Sequence, residues 1–133
     1  MAAGQKYGFD FAGRKVLVVE DNDMYFQLLA ALLKRVNVET LRAKNGREAI
    51  SCVSEEPGLK LVLMDMKLPD IDGLEVTRTI KASRPGLPVL ATTANAFQED
   101  RAASKAAGCD GFFPKPVNFR LLFLKMQELF SDQ

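Results

Sequence analysis

The sequence predicts an α/β fold: one parallel sheet of five strands, with helices on both faces. Two observations predict it. Continuous or β-branched apolar runs alternate with stretches whose apolar residues fall three and four apart. Strand-like and helix-like segments also alternate five times, a pattern that builds parallel βαβ units.

Taken in order, residues 1–13 read as a tail or linker. They hold Gly8, Gly13 and the spaced aromatics Tyr7, Phe9 and Phe11. Their alternation leaves a short edge strand open, which the glycines disfavour. Val16 to Val19 is a strand buried on both faces. The Glu20-Asp21-Asn22-Asp23 stretch has helix-cap chemistry, and Leu28, Leu29, Leu32, Leu33 and Val36 line one face of the helix that follows. Val38 to Ala43 is partly polar and suits a place near an edge. Asn45 caps a helix through Val53, which Pro57 and Gly58 end. Leu59 to Met64 is a strand running into Asp65. A loop from Leu68 to Gly73 leads to a helix with Leu74, Val76 and Ile80, broken by Pro85 and Gly86. Pro88 to Thr92 is the fourth strand. Phe97 to Ala107 is a helix ended by Gly108, Gly111 to Phe113 a short fifth strand, and Val117 to Phe130 the last helix.

The chain has 133 residues, which suits one domain (14–133) with one core. Its net charge of +1 offers no footprint for nucleic acid or an anionic membrane surface. No apolar run reaches the ~20 residues of a membrane span, and no signal-peptide core is seen, so a cytoplasmic location is expected. Cys52 and Cys109 stand in no metal spacing and read as small buried hydrophobes, a disulfide being the weaker alternative. Histidine is absent. Chemistry must therefore rest on carboxylates, hydroxyls, Lys, Arg and metal.

In a parallel sheet the carboxyl ends of the strands share one edge, where ligands bind. Strand one ends at Glu20 and Asp21, strand three at Asp65, strand four at Thr92 and Thr93, and strand five is followed by Lys115. Three carboxylates in one pocket repel each other, and a hard divalent cation, Mg²⁺, relieves this. A lysine and a hydroxyl beside it suit phosphoryl oxygens. Each residue alone has an ordinary explanation: a cap, a turn residue, a solvated charge. Together they describe a phosphoryl-transfer site with a carboxylate nucleophile. Neither a GxxxxGK[ST] loop nor a GxGxxG turn is present, which disfavours nucleotide binding.

Four stretches carry a resemblance: Val16 to Asn22 (VLVVEDN), Met64 to Gly73 (MDMKLPDIDG), Ala91 to Ala96 (ATTANA) and Gly108 to Pro116 (GCDGFFPKP). In this order they resemble the receiver domain of two-component response regulators, from about Lys15 to the chain's end. The resemblance implies a flavodoxin-like (βα)5 sandwich with strand order 2-1-3-4-5. It implies that Asp65 takes a phosphoryl group from the phosphohistidine of a sensor histidine kinase or histidine phosphotransfer protein. Asp21 and Asp65 would bind Mg²⁺ directly, with the backbone carbonyl of Lys67, and Glu20 mainly through water. Thr93 matches the hydroxyl that moves toward the phosphoryl group, Lys115 the lysine that pairs with it, and Phe112 the aromatic switch position, where relatives often carry Tyr. Pro69 and Gly73 match the loop after the acceptor, the glycine permitting a backbone shape other residues resist. Thr92 departs from the apolar residue common before the switch threonine. Lys67 and Asn95 occupy variable positions thought to tune hydrolysis of the acyl phosphate.

The expected role is a phosphorylation switch that assists its own transfer and dephosphorylation, not a metabolic enzyme. The rivals are a binding module of the same fold without phosphoryl chemistry, and a hydrolase with an aspartyl intermediate. The full set of Asp21, Asp65, Thr93 and Lys115 disfavours the first, and the lack of a cap domain the second. The helix from Phe97 is expected to present an inward stripe of Ala102, Ala103, Ala106 and Ala107, and so to be lightly held. The last helix carries more apolar residues than one stripe, which predicts an outward partner or dimer surface. The chain ends soon after it, so no output domain is expected within it. The stretch from Phe11 to Lys15 resembles the linker before receivers of hybrid kinases.

Overall fold

The computed structural model describes residues 8–94 and 98–131. Along it run β1 (Arg14–Val19), α1 (Asp23–Arg35), β2 (Val38–Ala43), α2 (Gly46–Glu55), β3 (Leu59–Asp65), α3 (Gly73–Ser83), β4 (Val89–Thr93), α4 (Gln98–Ala107), β5 (Gly111–Pro114) and α5 (Phe119–Ser131). Polar side chains start the first three helices by accepting backbone N–H groups that lack a partner in the first turn. Asn22 accepts from Tyr25, Asn45 from Glu48, and Asp72 from Leu74. Tyr7, Asn95 and Phe97 lie outside the described residues.

The five strands are parallel, in the order β2-β1-β3-β4-β5. The strand order switches direction between β1 and β3. There β1 and β3 pair up to Val19 and Met64, so the next residues along them, Glu20 and Asp65, emerge side by side. β2 lies at the edge, as its mixed pattern predicts.

Both faces of the sheet are covered, and each carries a cluster of buried side chains. On one, Val16, Val18, Leu61 and Leu63 meet Leu29 and Leu33 of α1 and Leu122, Phe123 and Met126 of α5. On the other, Leu17, Val62 and Met64 meet Ala49 and Val53 of α2 and Val76 and Ile80 of α3. Burying each such large apolar side chain contributes roughly 1.5–3 kcal/mol against conformational entropy.

Four expectations are corrected. Within the expected tail, Phe9 and Phe11 are buried in the core instead of trailing in solvent. Residues 8–13 form no strand, in line with their glycines. The cause of the burial is aromatic packing: Phe11 meets Phe123 and Phe130 edge-on, at centroid distances of 6.1 and 5.4 Å. Leu28 is 48% exposed, because the buried seam of α1 follows Leu29, Leu33 and Val36, one residue around the helix. On α4, Ala102 and Ala106 face solvent, and the inward residues are Ala103, Ser104 and Ala107. Cys52 and Cys109 are free and half-buried, Cys109 with its thiol 3.9 Å from the Thr77 hydroxyl.

Candidate functional site

The carboxyl ends of β1, β3 and β4 and the segment after β5 meet at one edge of the sheet. Glu20 follows β1 and stays paired through its N–H, which donates to the Ala43 carbonyl at 3.0 Å. Its side chain is buried and accepts the Asn22 N–H at 3.1 Å. Asp65 ends β3, also buried, and its Oδ1 accepts the Lys67 N–H at 3.0 Å. Lys115 follows β5. Its own N–H donates to the Thr93 carbonyl at 2.7 Å, so the end of β4 places it. Its ammonium then reaches Glu20 Oε1 at 2.7 Å and Asp65 Oδ2 at 3.2 Å.

Carboxylate oxygens of Glu20, Asp21 and Asp65 all lie within 4.8 Å of one another, Asp21 being the exposed member. Burial pushes the Glu20 carboxyl above its usual range, and the charge of Asp65 adds to this against the Lys115 and Asn22 hydrogen bonds. Burial acts to lower the Lys115 ammonium, but its contacts with Glu20 and Asp65 outweigh it, and the amine is held above its ordinary value. Lys115 therefore stays charged, while packing Glu20 beside Asp65 carries a repulsive cost that a further cation relieves. All-oxygen donors, partly open to solvent, fit Mg²⁺.

Thr93 closes β4, buried beside a pocket of about 150 Å³. Met66, Lys67, Ser104 and Phe112 line that pocket with it. Phe112 is half-buried at the rim, and the Arg101 guanidinium of α4 lies 4.8 Å from its ring centre. Thr92 is also buried, and its carbonyl accepts the Met66 N–H at 3.0 Å, so it supports the turn after Asp65. Gly73 has a structural reason different from the expected one. A Cβ there would sit 2.6 Å from Met66 Cα and 3.0 Å from the Asp65 carbonyl oxygen, so the glycine is needed for close approach, not for an unusual φ.

The structure thus brings Glu20, Asp21, Asp65 and Lys115 together and sets Thr93 and Phe112 around the adjoining pocket. Three neighbours were not anticipated. Tyr25 lies beneath Lys115, with the ammonium 4.6 Å from its ring centre, and its hydroxyl accepts the Val117 N–H at 3.3 Å. Arg42 donates to the main-chain carbonyl of Glu20. Asp70 accepts the N–H groups of Gly46 and Arg47, tying the loop after Asp65 to α2. The only hint of Arg42 in the sequence is that it is the single cation of the β2 segment, and Tyr25 gives none.

Residues 16–127 match the model of the response regulator receiver domain. The chain is 36% identical over 107 residues to the polar-differentiation response regulator DivK of Brucella anthropi, covering 79% of this chain and 86% of that protein. It is 36% identical over 110 residues to hybrid signal transduction histidine kinase L of Dictyostelium discoideum, 77% of this chain but 6% of that longer protein. Among solved structures it is similar to a CheY-like receiver domain from Methanospirillum hungatei JF-1, with TM-score 0.84, 29% identity, and 90% and 95% of the two chains covered. It is also similar to the receiver domain of sensor histidine kinase PA1611 from Pseudomonas aeruginosa PAO1, solved with magnesium in its active-site cleft. That match has TM-score 0.79 and 30% identity, covering 89% and 98%. The fold, the strand order and these matches agree: the chain belongs to the response regulator receiver domains of two-component signalling.

Proposed function

We propose that Asp65 is the residue that accepts the phosphoryl group in this receiver, from the phosphohistidine of a sensor kinase or a histidine phosphotransfer protein. The observation that carries this is the Lys115 ammonium bridging Glu20 and Asp65 where three carboxylates gather. A similar receiver, that of Saccharomyces cerevisiae Ssk1, was solved with the phosphotransfer protein Ypd1, at 30% identity and TM-score 0.81. That supports the same class of donor here.

In the transfer, an Asp65 carboxylate oxygen attacks the phosphorus. The new P–O bond forms as the P–N bond to the imidazole breaks, and the ring nitrogen keeps the electron pair. The Lys67 N–H holds one Asp65 oxygen, which orients the carboxylate for attack. Lys115 is placed to exchange its carboxylate partners for oxygens of the arriving group. Asp21 and Asp65 would hold Mg²⁺ directly with the Lys67 main-chain carbonyl, and Glu20 would act through water. When bound, the ion supplies positive charge that offsets the phosphoryl oxygens. Hydrolysis of the acyl phosphate uses the same groups, with water attacking phosphorus and Asp65 leaving. Lys67 and position 95 tune its rate.

The Thr93 hydroxyl turns toward the phosphoryl group, and Phe112 follows into the adjoining pocket. This biases the face formed by α4, β5 and α5. Leu121 and Leu124 are 55% and 41% exposed there, and they form a surface for an effector or a second copy. No helix among the described residues is long and apolar enough to cross a membrane; we place the domain in the cytoplasm, with its kinase partners. Incubation with acetyl phosphate and Mg²⁺, followed by intact-mass measurement, tests the proposal. The wild type should gain one phosphoryl group and Asp65→Asn none. An equal gain in Asp65→Asn would move the acceptor elsewhere, and no gain even with a cognate kinase would favour a binding module.

A further inference from the structure

We infer that Arg42, on the edge strand β2, is a positioning residue for the acidic turn that holds the metal; this rests on the Mg²⁺ reading above. Glu20 and Asp21 stand just past the last paired residue of β1, Val19 opposite Ala43. The Glu20 N–H still reaches the Ala43 carbonyl. β2 ends at Ala43, and among the described main-chain hydrogen bonds none reaches the Glu20 carbonyl. The Glu20 carbonyl would thus face the edge without a ladder bond. Arg42 fills that place: its Nε and Nη2 donate to this one oxygen at 3.2 and 3.0 Å.

The same guanidinium reaches Asp23 Oδ1 at 2.8 Å, and its Cζ lies 4.4 Å from the centre of the Phe26 ring. Arg42 therefore grips both sides of Asp21: the carbonyl before it and the first residue of α1 after it. Asp21 itself is exposed, and no hydrogen bond to its side chain is among those described, so its aim depends on the backbone that carries it. An Arg–Asp pair at the surface alone is worth little. The fork onto a main-chain carbonyl is a different matter, because only a planar guanidinium can make both contacts from one stem. Its charge opposes a nearby cation by Coulomb repulsion. Any gain in metal affinity from Arg42 must then come from geometry, which makes the two effects separable.

The test titrates Mg²⁺ into the full chain by calorimetry for the wild type, Arg42→Lys and Arg42→Met, with metal-free thermal unfolding and amide spectra recorded beside it. Lysine keeps the charge and loses the fork; methionine loses both. Both variants should bind Mg²⁺ about tenfold or more weakly, the effect typical of groups that orient a metal ligand. Their β4 and β5 amide signals should match the wild type. Unchanged affinity in both variants overturns the inference. So does tighter binding by Arg42→Met with wild-type binding by Arg42→Lys, because the role is then only Coulombic. Weaker binding that tracks a loss of folded structure throughout the sheet likewise overturns it. A wild type that binds no Mg²⁺ removes the metal reading, and this inference with it.

Discussion

At the residue scale, the site is a set of side chains whose placement depends on backbone contacts. Lys115 is held by the Thr93 carbonyl and Asp65 by the Lys67 N–H. Asp70 shows how a surface carboxylate can do the same for a whole loop. Burial acts to raise its carboxyl, but the backbone N–H groups of Gly46, Arg47 and Ile71 outweigh this and hold it below the usual range. A depressed folded-state pKa means that the stabilisation is fully present above the unfolded pKa. It is lost as the pH falls through the folded value. Asp70→Ala should therefore lower the urea midpoint at neutral pH, and the gap to the wild type should close in acid. A gap of constant size across that range would show that the carboxylate charge is not what holds α2 to the acceptor loop.

At the element scale, the N-terminal segment and α5 share one aromatic cluster. Phe9 stacks on Phe11 at 6.0 Å and meets Phe123 at 5.6 Å, while Arg14 lies 5.0 Å over Phe130. The segment is pinned to the α1–β2 turn by the Phe11 N–H to the Val36 carbonyl and the Gly13 N–H to the Asn37 carbonyl, each at 2.8 Å. Truncating a buried Phe removes its transfer free energy and leaves a cavity. Phe11→Ala should cost about 3–5 kcal/mol in chemical denaturation. A cost below ~1 kcal/mol would return residues 8–13 to the status of a dispensable linker. The sequence misplaces this segment because glycines interrupt the short alternation of its aromatics. Only the hydrophobic surface of α5 explains why they are buried.

For the whole molecule, the proposed switch would join the active edge to the α4–β5–α5 face through Thr93 and Phe112, which line one pocket. The inward residues of α4 are small, Ala103, Ser104 and Ala107, and bury little area, so its hold on the sheet is weak. A weakly held element next to a site is suited to two arrangements. Beryllofluoride with Mg²⁺, a phosphoryl mimic, should shift amide signals at Thr93, Phe112 and along α4, as well as beside Asp65. Shifts confined to the neighbourhood of Asp65 would mean that the two faces are independent.

The sequence by itself determined the layered α/β fold, its strand and helix order, and the acidic, threonine and lysine positions at the strand ends. Hydrophobic period and capping chemistry are local, and a parallel sheet sends every strand end to one edge, so these features could be read without coordinates. The sheet order was implied by family resemblance and is seen directly in the strand pairing. Tertiary structure alone decided the rest. Whether Phe9 and Phe11 pack, which side of α4 faces inward, and why residue 73 is glycine depend on surfaces distant in sequence. The same holds for Arg42, Tyr25 and Asp70: each is an ordinary polar side chain until the fold brings to it a carbonyl, an ammonium or a helix start from another segment.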